Sequence, residues 1–114
     1  METLILSTHH PKAFETALEI LQNGGLVAFP TDTVYGLGAL VSDSQAIEQL
    51  FVVKGRDSAK AIAVLLGSAE ALPQIASQMS PAARRLAQRF WPGPLTLVVS
   101  RRSGLPENLS PLPT

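Results

Sequence analysis

The stretch Phe29-Pro30-Thr31-Asp32-Thr33-Val34-Tyr35-Gly36-Leu37-Gly38 decides how this sequence is read. A short apolar run, residues 26–29, delivers the chain into Pro30-Thr31-Asp32-Thr33. These four residues favour turns and set hydroxyl and carboxylate groups side by side. A second strand-like piece, residues 34–40, follows and is interrupted by Gly36 and Gly38. Glycines there allow close approach of a backbone or a ligand, or mark a bulge. Composition alone leaves two readings open, a plain strand connection with polar turn residues and a functional loop on a rigid scaffold.

Working outward, residues 3–7 read as a short strand. Ser7 or Thr8 is placed to cap a helix beginning near Pro11. Phe14, Ala17, Leu18 and Leu21 follow the i, i+3, i+4, i+7 spacing of a buried stripe. Asn23-Gly24-Gly25 supplies a left-handed stop. The run 26–29 lacks polar alternation, which predicts burial on both faces. Beyond the loop, Ser42, Asp43 or Ser44 can cap a second helix with Ile47, Leu50 and Phe51 inward. Residues 61–66 read as an apolar strand, and residues 68–78 as a helical stretch weakened by Pro73. Ser80-Pro81 opens a helix with Ala83, Leu86, Ala87 and Phe90 inward. Trp91-Pro92-Gly93-Pro94 breaks that helix before a last strand, residues 95–99. Helices alternating with apolar strands define an α/β domain with helices packed on a twisted sheet. From Gly104 onward three prolines and no periodicity predict an irregular tail that adds little to a core.

The 114 residues suit one domain. With 46% hydrophobic and 16% charged residues, the sequence is too apolar for a disordered segment. Nine cations balance nine carboxylates, so the chain as a whole carries no nucleic-acid footprint. The cations are unevenly placed, however, and all except Lys12 lie from residue 54 onward. There is no cysteine, which excludes disulfides, thiolate catalysis and cysteine-ligated zinc. No apolar run has the length of a membrane span, and no basic-then-apolar leader pattern opens the sequence. A soluble cytoplasmic protein is expected. His9 and His10 are adjacent, point in different directions and have no nearby carboxylate cluster, so they read as an exposed pre-helix loop. There is no Walker loop and no Ser-His-Asp arrangement.

Lys54-Gly55-Arg56-Asp57-Ser58-Ala59-Lys60 places three cations within seven residues of a glycine-containing loop. Arginine offers a planar fork for phosphate or carboxylate oxygens, and lysine a mobile point charge. The same segment also reads as a basic helix terminus facing water.

The string at 29–38, the Lys-x-Arg at 54–56 and Phe90-Trp91-Pro92-Gly93-Pro94-Leu95-Thr96-Leu97-Val98 occur in the order of one family. The sequence resembles the threonylcarbamoyl-adenylate synthase (YrdC-like) family. The resemblance implies a twisted, mostly mixed sheet with helices packed on it, of which residues 1–114 would be the N-terminal portion. Family members continue with a strand carrying an arginine and with a Ser-x-Asn motif, neither of which occurs here. They also commonly carry proline where this chain has Ala61.

The implied activity is synthesis of threonylcarbamoyl-AMP from L-threonine, bicarbonate and ATP, with release of pyrophosphate, for tRNA modification. Carried over, Lys54 and Arg56 are the catalytic pair. Lys54, Arg56 and Lys60 bind ATP, and Thr33 holds L-threonine. Thr31, Asp32, Tyr35 and Thr96 are supporting positions, and no residue is assigned to a metal. Mg²⁺ is expected with the nucleotide, held by phosphates and water. Residues 31–35 and 54–60 are expected to line one concave surface. Implied partners are double-stranded RNA or tRNA and the downstream threonylcarbamoyl-transfer proteins. A catalytically inactive nucleotide- or RNA-binding module is the alternative. The hydrogenase-maturing carbamoyltransferases with a YrdC-like domain carry acylphosphatase and zinc-finger segments, of which there is no trace.

Overall fold

The computed structural model describes residues 2–55 and 60–114. The chain divides into two compact units, Met1–Gly55 and Arg56–Thr114. Among the described residues, no helix is long and apolar enough to cross a membrane.

In the first unit, helix α1 (Ala13–Gln22) leads to strands β1 (Val27–Phe29) and β2 (Gly36–Gly38), then to helix α2 (Ser44–Lys54). The α1 stop is built as its sequence predicts. The Gly25 amide donates to the Ile20 carbonyl and the Gly24 amide to that of Leu21, with Gly24 at φ +82°. This double closure satisfies carbonyls that the helix end would leave open. Strands β1 and β2 pair antiparallel, with Val27 opposite Gly38 and Phe29 opposite Gly36. Asp43 caps α2 by accepting from the Ala46 amide at 3.0 Å. Ala46, Ile47, Leu50 and Phe51 of α2 are buried, the stripe that its spacing predicts.

Four expectations fail, in whole or in part, in this unit. Residues 3–7 pair with no strand among the described residues, and Leu4, Ile5 and Leu6 are exposed. The chain before α1 forms a turn, in which the His10 amide donates to the Ser7 carbonyl and the Lys12 amide to His10 Nδ1. Lys12 is the N-cap residue and contributes no side-chain cap. The α1 stripe is covered only in part: Ala17 and Leu21 are half-buried, whereas Phe14 is 87% exposed and Leu18 52%, and Ala13 and Ile20 are half-buried beside them. The helix carries two apolar faces, and periodicity alone does not tell which one is covered. Finally, β1 alternates, with Ala28 exposed between half-buried Val27 and Phe29. A two-stranded ladder covers one face and leaves the other open.

In the second unit, a 3-10 turn (Ala69–Gln74) precedes strand β3 (Ala76–Gln78), helix α3 (Pro81–Phe90), strand β4 (Ser100–Arg101) and a 3-10 turn (Glu107–Leu109). Ser80 caps α3 through the Ala83 amide at 3.1 Å, and Pro81 occupies the first turn. The helical stretch expected over 68–78 is shorter and tighter, a 3-10 helix over Ala69–Gln74 containing Pro73, and is followed by β3, which pairs antiparallel with β4. Proline removes the donor that an α-helix needs there.

Residues 61–66 and 95–99, expected as strands, carry no strand assignment. They retain strand-like periodicity: Ile62, Val64, Leu66, Leu95, Leu97 and Val99 are half-buried, and the residues between them are exposed. On α3 only Ala87 is buried, whereas Leu86 and Phe90 are 40% and 50% exposed. The tail contributes more than its composition predicts. Leu109 and Ser110 are each 6% exposed, and the Ile62 amide donates to the Leu109 carbonyl at 2.9 Å. Burying a leucine side chain is worth about 1.5–3 kcal/mol, so one residue without periodic neighbours still anchors the segment. The α/β class holds, but among the described residues the strands form two small antiparallel sheets where one mostly mixed sheet was expected.

Candidate active site

The six residues between β1 and β2 form the loop that carries Thr31, Asp32, Thr33 and Tyr35. Its base is set by the Phe29 ring, which lies across β2. A Cβ on Gly36 would come within 2.9 Å of that ring, and one on Gly38 within 3.1 Å. The space the glycines leave is therefore filled from within the hairpin, and the β1–β2 register continues without a bulge.

Above this base the Thr31 hydroxyl makes two bonds. It donates to the Val34 carbonyl and accepts from the Thr33 amide at 3.3 Å. The side chains of residues 31–35 are exposed, Val34 at 74% and Tyr35 at 76%. Local hydrogen bonds made by threonine in turns are an alternative to ladder pairing. Here they leave the Thr33 hydroxyl and the Asp32 carboxylate facing solvent.

Lys54 is the last residue of α2 and is exposed. Gly55 follows in the left-handed region at φ +61° and closes the helix with its amide on the Phe51 and Val52 carbonyls. A cation in the last turn complements the negative end of the helix dipole. Its long stem also leaves the ammonium free to meet an anion. Arg56 lies outside the described residues, and with it the expected juxtaposition of 31–35 and 54–60. Loop residues 31–35 and Lys54 belong to the first unit, Lys60 and Thr96 to the second.

Lys60 is exposed immediately before residues 61–66. Thr96 is exposed and borders a groove of about 860 Å³ within the second unit. Apolar side chains of 61–66 and 95–99 dominate its walls. Trp91 also lines it, its indole Nε1–H donating to the Leu95 carbonyl at 2.8 Å. Among the described residues no group of three or more His, Cys, Asp or Glu side chains is placed to hold a metal ion.

Two of the cations from residue 54 onward turn out to be internal struts. The Arg101 guanidinium donates to the carbonyls of Pro106, Glu107 and Ser110 at 3.3–3.4 Å. Arg102 reaches the Pro73 carbonyl at 2.8 Å. Their partners are carbonyls of irregular backbone, for which no side-chain pattern exists. Arg89 lies 5.5 Å over the neighbouring Phe90 ring, a contact common for arginine on an exposed helix face.

Residues 19–113 match the Sua5/YciO/YrdC family model, described as "Telomere recombination", and the chain belongs to this family. Threonylcarbamoyl-AMP synthase of Pyrococcus abyssi is 43% identical over 90 residues, covering 79% of this chain and 26% of that protein. The enzyme of the same name from Bacillus subtilis is 37% identical over 106 residues, covering 93% of this chain and 30% of its own length. The crystal structure of P. abyssi Sua5 complexed with L-threonine superposes with a TM-score of 0.79 at 41% identity, covering 82% of this chain and 28% of that one. The chain thus spans under a third of the length of these relatives.

Proposed function

We propose that this chain takes part in forming threonylcarbamoyl-AMP from L-threonine, bicarbonate and ATP. The observation that carries the reading is the 30–35 loop, an exposed row of hydroxyl and carboxylate groups on a hairpin whose base Phe29 fixes. The threonylcarbamoyl-AMP synthases among its relatives support it, as does the L-threonine complex of P. abyssi Sua5.

The chemistry needs positioning and charge neutralisation more than a nucleophilic side chain. The threonine amine adds to bicarbonate with loss of water, giving a carbamate. A carbamate oxygen then attacks the α-phosphorus of ATP, and the bond to pyrophosphate breaks. In this reading Thr33 holds L-threonine, Lys54 and Arg56 neutralise the triphosphate and the developing charge, and Lys60 adds a further phosphate contact. Thr31, Asp32, Tyr35 and Thr96 support them. Mg²⁺ arrives with the nucleotide, bound by phosphate and water oxygens. The product serves tRNA threonylcarbamoylation in the cytoplasm, with tRNA and the transfer proteins downstream.

The test is calorimetric titration of the chain with Mg-ATP. Arg56→Ala is expected to remove a charge-assisted phosphate contact, at a cost of about 1.5–3 kcal/mol, whereas Arg85→Ala, on the exposed face of α3, leaves affinity unchanged. Equal effects of the two substitutions would overturn the assignment. Pyrophosphate release is followed in parallel with threonine, bicarbonate and ATP. Nucleotide binding without turnover would favour the inactive binding module.

A further inference from the structure

We propose that the Thr31 hydroxyl is the positioning group of the loop, fixing the backbone of residues 31–34 so that Thr33 offers its side chain to an amino-acid substrate. The identity of that substrate rests on the reading above. The hydrogen bonds of Thr31 are independent of it.

Among the described residues, no main-chain to main-chain hydrogen bond falls within residues 30–35. The loop's two internal bonds both pass through Thr31 Oγ1, one given to the Val34 carbonyl and one received from the Thr33 amide. A hydroxyl is the small side-chain group that can do both at once, with one proton to donate and two lone pairs to accept. A carboxylate at this position could receive the Thr33 amide but could donate nothing to Val34. A valine has the same shape and can do neither.

The consequence for recognition is specific. With its amide already engaged, Thr33 has its hydroxyl left to contribute, able to accept from a substrate ammonium or donate to a substrate carboxylate. Without the clip, six exposed residues hang between Phe29 and Gly36 with nothing internal to order them, and binding must then order them. Thr31 therefore acts through Thr33 and touches no reacting atom.

The experiment uses the 114-residue chain labelled with ¹⁵N. Amide exchange at Thr33 and titrations with L-threonine and with Mg-ATP are measured for the wild type, Thr31→Val and Thr31→Ser. Thr31→Val is expected to speed exchange at Thr33 and weaken L-threonine binding, each roughly two- to tenfold, with ATP affinity unchanged. Thr31→Ser restores both. Unchanged exchange at Thr33 in Thr31→Val overturns the proposal, as does a serine variant that behaves like valine. Equal losses for L-threonine and ATP overturn it too, because they signal general unfolding. A wild-type chain that ignores L-threonine while Thr31→Val still frees the Thr33 amide refutes the substrate reading and leaves the clip standing.

Discussion

The 30–35 loop and the 91–95 break are both short proline-containing connections, and they are built in opposite ways. In the first, one hydroxyl orders the backbone and the side chains face water. In the second, the polar groups turn inward: the Trp91 indole closes on the Leu95 carbonyl, and the Leu95 amide on the Gly93 carbonyl at 2.9 Å. Gly93 leaves no room for a side chain, since a Cβ there would fall inside contact distance of the Phe90 carbonyl oxygen. A connection that spends its polar groups on itself is structural. One that leaves them exposed on an ordered backbone is available for chemistry.

The sharpest way to break this contrast is Gly93→Ala. The obstructing atom is main chain at the end of α3, so it cannot rotate away as a flexible side chain could. Overpacking of this kind costs about 1–3 kcal/mol, and the expected result is a lower urea midpoint with unchanged slope. Gly67→Ala is the control, because a Cβ there meets nothing within 4 Å. Equal midpoints for the two variants would remove Gly93 from its structural role.

Next in size is Trp91→Phe, which keeps an aromatic ring but deletes the Nε1 donor and leaves the Leu95 carbonyl without that partner. A loss of about 0.5–1.5 kcal/mol is expected from the hydrogen bond. Part of any further loss is indole volume, since Trp91 is half-buried. A variant as stable as wild type would show that water replaces the indole at no cost.

The contrast also explains how much of the molecule was legible beforehand. Local chemistry read well. Asp43 and Ser80 cap their helices, Gly24 and Gly55 end them, and Ile47, Leu50 and Phe51 go inside. Each depends on neighbours within one turn of chain. The cap expected at Ser7 or Thr8 is a local exception, since α1 starts after Lys12 with no side-chain cap; most other failures depended on distant partners. Residues 3–7, 61–66 and 95–99 have strand composition but pair with no strand among the described residues, and composition cannot supply one. Leu109 reads as part of an irregular tail, yet it is buried, and nothing in the sequence marks Arg101 as the group whose guanidinium gathers three backbone carbonyls. At the site, the supporting position of Thr31 was implied by the family resemblance alone. Its dual role as donor and acceptor required coordinates.

The smallest effect tests the exposed side of the contrast. Val34 contributes its carbonyl to the Thr31 hydroxyl, while its side chain is 74% exposed. Val34→Thr keeps the β-branched shape and the main-chain acceptor, so it changes neither the clip nor any buried surface. Stability is expected to stay within about 0.5 kcal/mol of wild type, and amide exchange at Thr33 should be unaltered. A larger loss in chemical unfolding would mean that the valine methyls pack against something when the loop is ordered. The loop would then be held by its side chains as the 91–95 break is, and the division between a self-satisfied connection and an available one would fail at its simplest point.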